Sequence, residues 1–336
     1  MSFYVFRGLG DTATPLLWAL AFTCMNALLD PLFIFRFHMG AAGAAAGTAV
    51  AQTLALIPLL LALQRKQRAA WPEGGSIGLR SIPLVGLFAP TGGIKALMSS
   101  VLGYVQAGSF VLLRSMAKIS AYSVCAREAA RLGAVASAAH NLCFQLGVAT
   151  TQLCESIAIA TQTLLARELS IRPAEEEEES RVRGAARHVV SRGLLLGAIV
   201  STSVSTVTLV NRRQVVAGLT IIPEVRAAAY AVMPLVLTCQ VLKGLAYPVS
   251  GALMGALDWR ASAGAMVLAQ ASTLLLVAVW SGGGKRVLAL NELWAALAIL
   301  FAVQIMGGLA RIASGTGPWK RLKRLVSCDE DVCVEE

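Results

Sequence analysis

The hydrophobic positions along this chain run on rather than alternate. Eight stretches of nearly unbroken apolar residues, at about 14–37, 41–63, 82–115, 133–165, 189–210, 228–253, 261–281 and 289–312, are separated by shorter polar segments. A helix rises about 1.5 Å per residue, so roughly 20 residues cross a hydrocarbon layer. In lipid every backbone polar group needs an internal partner, and runs of this length without period-two alternation predict helices. The expected fold is therefore an all-α membrane protein, a polytopic bundle of about eight transmembrane helices.

Polar residues inside those stretches are costly unless paired or hydrated, so each is a candidate for function. In the first span Thr23, Asn26 and Asp30 share one helix face; the other reading of Asp30 is an interfacial pair with Arg36. In the fourth span Asn141, Gln145, Gln152, Glu155 and Gln162 draw a polar stripe at multiples of about 3.5 residues. A second stripe, Gln240, Lys243, Tyr247 and Ser250, lies on the sixth span. Each stripe faces either an aqueous cavity or a polar partner helix. Glu155 and Lys243 both fall near mid-span and are expected to face one cavity as a proton-sensitive pair. His140 heads the fourth span, where a structural role is expected. Gly40, Gly43 and Gly47 among alanines form a small-residue face suited to close helix packing.

Charge orients the spans. Taking the loops alternately, one side holds 17 Lys and Arg, the other 9, and Lys95, Arg114 and Lys243 lie inside spans. Excess positive charge marks the cytosolic (or stromal) side, so both termini are expected there. The polar segment Gln64 to Arg80, with Pro72, Gly74 and Gly75, separates residues 1–64 from residues 82–313 and is read as a loop between two bundles. The run Glu175 to Glu179 reads as a solvated loop, and residues 314–336 as a tail ending in disordered acidic residues.

Composition narrows the class further. A chain 56% hydrophobic, 14% charged and with a mean hydropathy of +0.67 is not a soluble domain. Its net charge of +10 does not imply nucleic acid, because the basic residues sit mostly in loops and are not interleaved with aromatics. Cys24, Cys143, Cys154 and Cys239 fall in apolar segments and read as small core residues, while Cys328 and Cys333 show no metal or redox spacing. Three dispersed histidines, no Ser/His/Asp set and no acidic pair at D-x-x-x-D spacing point away from an enzyme, a metal site and a bound cofactor.

One motif needs separate treatment. Gly8-Leu9-Gly10-Asp11-Thr12-Ala13, with Asp30 further on, fits a loose dinucleotide pattern. It leads instead into a membrane-length helix that Asp11, Thr12 or Thr14 can cap and that Pro15 suits as a first-turn residue, and no βαβ alternation follows. A weaker copy, Gly251 to Arg260, again places glycine, an acidic turn and an apolar helix in succession. Such internal repetition is common in secondary transporters.

These residues resemble the multidrug and toxic compound extrusion (MATE) transporters. The resemblance rests on Phe6-Arg7-Gly8-Leu9-Gly10-Asp11-Thr12-Ala13-Thr14-Pro15, Asn26-Ala27-Leu28-Leu29-Asp30, Gly40-Ala41-Ala42-Gly43-Ala44-Ala45, Ala138-Ala139-His140-Asn141, Glu155 to Gln162, and Gly255-Ala256-Leu257-Asp258-Trp259. The patches are most similar to the plant and algal plastid-type branch. The resemblance implies twelve helices in two six-helix lobes, with this chain beginning at the fifth: 1–64 closes the first lobe, 65–81 links the lobes, and 82–313 forms the second. It further implies an antiporter that exports small organic compounds in exchange for H+ or Na+, without another cofactor, from a multi-pass position in a plastid or other internal membrane. The lipid bilayer and a small organic substrate are the implied partners, and nucleic acid is not. Glu155 falls where relatives often carry an intramembrane acid, and Ser250 where many carry an acid before the glycine matching Gly251. The charges within spans, Asp30 and Glu155 against Lys95, Arg114 and Lys243, favour an organic anion as substrate. The other classes left open are a non-transporting membrane scaffold or fragment and a lipid flippase of the wider superfamily.

Overall fold

The computed structural model describes residues 13–70, 93–170 and 176–320. Among them the chain is helical: α1 Ala13–Pro31, a π turn Leu32–Arg36, α2 Gly40–Ala70, α3 Gly93–Arg131, α4 Ala134–Ser170, α5 Glu176–Val210, a short α6 Arg212–Leu219, α7 Pro223–Gly255, α8 Trp259–Trp280, α9 Leu290–Ser314 and a final 3-10 turn Gly317–Trp319. Seven helices among the described residues are long and apolar enough to cross a membrane. The protein is thus an all-α, multi-span membrane protein.

Three boundaries differ from expectation. The expected span 82–115 has its first residues outside the described ones, and α3 continues to Arg131. Residues 116–132 contain no glycine or proline, so nothing interrupts the helix before Gly133, whose φ of +103° stops it. Lys118, Arg127 and Arg131, assigned to a loop, are helical. Likewise α2 runs on to Ala70, and residues 176–179 belong to the first turn of α5 rather than to a loop. The opening glycine motif up to Thr12, most of the expected inter-bundle loop and the acidic tail lie outside the described residues.

The structure divides into two compact units, Met1–Tyr104 and Val105–Glu336. In the first, α1 ends at Pro31, whose missing N–H breaks the regular hydrogen-bond ladder, and the chain passes through the π turn. His38 and Gly40, both at φ +55°, then reverse it into α2. The small-residue face makes the contact: β-carbons on Gly43 and Gly47 would lie 2.8 Å from the Phe33 carbonyl oxygen and 2.6 Å from Asp30 Oδ1. Asp30 therefore points at α2, and among the described residues no ion pair joins it to Arg36.

The second unit is built around α7, against which α4, α5 and α9 pack, with α8 against α9. Its core includes Val232, Met233 and Val236 of α7 and Leu297, Leu300 and Phe301 of α9. At the end of α7, Leu257 takes a φ of +58° and Asp258 precedes α8, so the second glycine–acid turn forms as expected. Asp258 Oδ2 accepts from Arg311 Nε at 2.7 Å and Trp319 Nε1 at 3.2 Å, tying the start of α8 to the end of α9. Cys143, Cys154 and Cys239 are buried as expected, but Cys24 is exposed.

Candidate functional site

Three helices of the second unit bring polar groups together. On α3 a column of side chains recurs every four residues: Phe110, Arg114, Lys118 and Tyr122. Arg114 donates a hydrogen bond to the Ser250 hydroxyl. Lys118 Nζ lies 5.6 Å from the centroid of the Tyr247 ring, and Tyr122 meets Phe144 edge-on at 5.3 Å. Arg260 stands 5.7 Å from the Phe110 ring. Two cations lie between two aromatics in this column, Arg114 on a hydroxyl and Lys118 on a π face.

The α7 stripe receives these contacts. Gln240, Lys243 and Ser250 are buried and Tyr247 is half-buried. Lys243 Nζ donates to Thr151 Oγ1 of α4 at 3.1 Å and lies 5.4 Å from the Phe301 ring of α9. Gln240 rests against Gly147, one turn before Thr151, where a β-carbon would lie 3.1 Å from the Gln240 Cδ. The lysine and the glutamine thus occupy one α4–α7 seam.

The α4 stripe is placed differently. Asn141, Gln145, Gln152 and Glu155 are exposed, and Gln162 is half-buried. The α4 stripe is thus mostly exposed and the α7 stripe mostly buried. No ion pair joins Glu155 to Lys243 among the described residues, because Lys243 reaches α4 at Thr151, a turn earlier. Glu155 acts electrostatically on Lys118 and Tyr247 instead. In the first unit, Asn26 Oδ1 and Asp30 Oδ1 are buried oxygens without a hydrogen-bond partner.

The resulting constellation is cationic: Arg114, Lys118 and Lys243, with Glu155 as the neighbouring carboxylate and the hydroxyls of Thr151, Tyr247 and Ser250 between them. Lys118 and Thr151 were not singled out in the sequence. The four-residue spacing from Phe110 to Tyr122 carried the signal, but it shows only once α3 is known to continue past residue 115. Chemically, two ammonium groups, a guanidinium and several hydroxyls bind oxyanions; they offer little to a cation.

Comparisons with known proteins agree with this architecture. The sequence pattern of the family described as MatE matches residues 111–280. Protein DETOXIFICATION 43 of Arabidopsis thaliana is 27% identical over 320 residues, covering 95% of this chain and 54% of the relative. Protein DETOXIFICATION 44, chloroplastic, from the same plant is 28% identical over 319 residues, covering 94% and 54%. A crystal structure of the Vibrio cholerae MATE transporter VcmN in the bent form superposes with a TM-score of 0.69 at 16% identity, covering 96% of this chain and 65% of that one. The chain spans about half the length of these curated relatives.

Proposed function

The chain belongs to the MatE family, the multidrug and toxic compound extrusion transporters, and from that premise we propose that it works in export of small organic anions in exchange for H+ or Na+. The observation that carries the anionic preference is the charge of the α3–α4–α7 seam, three cations beside one carboxylate. A carboxylate is attracted to such a cluster of cations and can accept hydrogen bonds from them. Arg114 and Ser250 supply a forked donor and a hydroxyl; Lys118 and Tyr247 supply a point charge and a flat apolar face. The exposed amides Asn141, Gln145 and Gln152 keep the approach polar, with Gln162 further along α4.

For the coupling ion, Asn26 and Asp30 of α1 supply two buried oxygens without a partner, that of Asp30 pointing to α2 at Gly47. A proton or Na+ satisfies such oxygens, and an anion does not. The names of relatives that carry the word chloroplastic support a plastid membrane as the site of action.

The test is ligand-induced thermal stabilisation of the purified protein, which follows from binding to the folded state. Di- and tricarboxylates and aromatic carboxylates are expected to raise the melting temperature, and tetraphenylphosphonium or quaternary ammonium compounds are not. Stabilisation by the cations alone overturns the proposal.

A further inference from the structure

Inside the second unit, away from the exposed stripe, polar atoms without partners gather on a single seam. His140 of α4 is 3% exposed, its ring 5.3 Å from Trp294 of α9, and its Nδ1 has no hydrogen-bond partner. Trp294 is 2% exposed, and its Nε1 is likewise without a partner, while its carbonyl takes the Cys239 thiol of α7 at 3.5 Å. Next in sequence, Gln240 is 2% exposed, and neither its Nε2 nor its Oε1 has a partner. Lys243 follows one turn on, bound to Thr151 and set over Phe301.

The register of the three helices is shared. Along α4, His140, Gly147 and Thr151 stand on one face; along α9, Trp294 and Phe301 do so two turns apart; along α7, Cys239, Gln240 and Lys243 lie between them. From His140 to Thr151 is about 16 Å of helix at 1.5 Å per residue. Four buried side-chain atoms without a hydrogen-bond partner lie here: His140 Nδ1, Trp294 Nε1, and Gln240 Nε2 and Oε1. Native proteins leave few such atoms, and each asks for a partner.

The kind of partner follows from the atoms. Trp294 Nε1 only donates, Gln240 Oε1 only accepts, Gln240 Nε2 donates, and His140 Nδ1 does either. An anion would serve the donors and a cation the acceptors; water serves both. Gly147 lets the Gln240 amide come up against α4, since a side chain there would displace it. At the far end, Lys243 has three N–H donors and spends one on Thr151, whose own hydroxyl is committed to the Gly147 carbonyl at 2.8 Å.

We propose that His140, Trp294, Gln240 and Lys243 line a file of internal waters along the α4–α7–α9 seam, and that the file passes protons between the His140 imidazole and the Lys243 amine. An imidazolium at His140 gives its Nδ1 proton to the first water, each water hands on one of its own, and the last protonates the neutral amine. The reverse sequence restores the start, and no electron changes hands. The titratable groups whose charge reaches Lys243 are Cys154 of α4, Cys239 of α7 and Lys118 of α3, with no carboxylate in ion-pair contact among the described residues. His140 faces Trp294 and Phe144. As a coupling route the file rests on the export reading above; as a hydrated proton path it stands without it.

Two measurements on the purified protein in detergent test it, neither involving substrate. In hydroxyl-radical footprinting by pulsed radiolysis, side chains beside bound water are oxidised even when buried. His140 and Trp294 are expected to be labelled despite their burial, and Gln240→Met to suppress that labelling while half-buried Trp280 keeps its rate. Absence of labelling in the unaltered protein, or labelling indifferent to Gln240→Met, overturns the water file. In stopped-flow acid jumps with a pH dye, Lys243→Met is expected to remove one proton from the uptake, and His140→Phe, which also removes the imidazole's own site, to slow the uptake that remains. Unchanged uptake in Lys243→Met, or an unchanged rate in His140→Phe, overturns the proton path. Labelling of the unaltered protein decides the first point whether or not a variant folds, and neither result bears on carboxylate binding.

Discussion

Gly244 of α7 and Gly197 of α5 face each other so closely that neither helix has room for a methyl group. A β-carbon on Gly244 would lie 2.5 Å from the Ser201 Cβ, and one on Gly197 would lie 2.9 Å from the Pro248 Cγ. Replacing glycine by alanine inside a helix is ordinarily worth about 1 kcal/mol in its favour. Here the obstacle includes backbone, which cannot swing aside, and overpacking costs about 1–3 kcal/mol. Gly244→Ala is therefore expected to lower the melting temperature of the purified protein. Gly264→Ala, on a helix face with open space around it, is expected to leave the melting temperature unchanged or raise it.

A second lock holds the ends of α8 and α9. Asp258, 8% exposed, accepts from both Arg311 and Trp319, and Trp319 is fully buried. Asp258→Ala leaves an indole N–H and a guanidinium without their acceptor, at about 1–3 kcal/mol. Asp258→Asn keeps an acceptor oxygen and loses only the charge, so its loss is expected to be smaller. The pair is read by thermal denaturation in detergent; equal losses in both variants would show that the charge, and not the hydrogen bonds, holds the lock.

The spans were legible in the sequence because hydrocarbon thickness imposes a length on every helix, whatever its neighbours. The ends of α3 and α5 were not, because Lys118 or Glu176 read as solvated whether it lies on a loop or on a helix that outruns the apolar run. The glycine face of α2 was legible, since small residues at helical spacing have few other uses in lipid. Periodicity also showed both polar stripes but not their surroundings. Gln240 and Glu155 sit on equally regular stripes, yet one is buried at the centre of a unit and the other exposed. That difference is set by α7 having neighbours on several sides, a property of packing and not of one helix's sequence.

The anion-binding reading depends on Arg114 and Lys118. Ser250→Asp is expected to set a carboxylate beside Arg114 and cancel one positive charge, while leaving the fold intact. Losing one charge-assisted contact costs about 1.5–3 kcal/mol, or roughly ten- to a hundredfold in affinity. Lys118→Met is expected to weaken carboxylates to a similar degree, and the two effects to be less than additive if one ligand spans both groups. Calorimetric titration with a tricarboxylate checks both; affinity unchanged in either variant excludes that residue from the site.

The last expectation concerns the first unit, where Asp30 and Asn26 hold buried oxygens without partners and that of Asp30 faces α2. Asp30→Asn keeps the shape and removes the charge, so any ion held there loses its main attraction. Gly47→Ala tests the same place by volume, since its β-carbon would fall 2.6 Å from Asp30 Oδ1 and displace that oxygen. Both variants are expected to abolish the dependence of melting temperature on pH or Na+ that arises at this site, while carboxylate binding at Arg114 and Lys118 persists. The two coupling ions separate cleanly. If Na+ is bound, raising its concentration at fixed pH stabilises the unaltered protein and neither variant; if a proton is bound, acidification does so and Na+ is without effect. A protein indifferent to both would show that Asp30 is a packing group between α1 and α2 and that coupling, where it occurs, resides elsewhere.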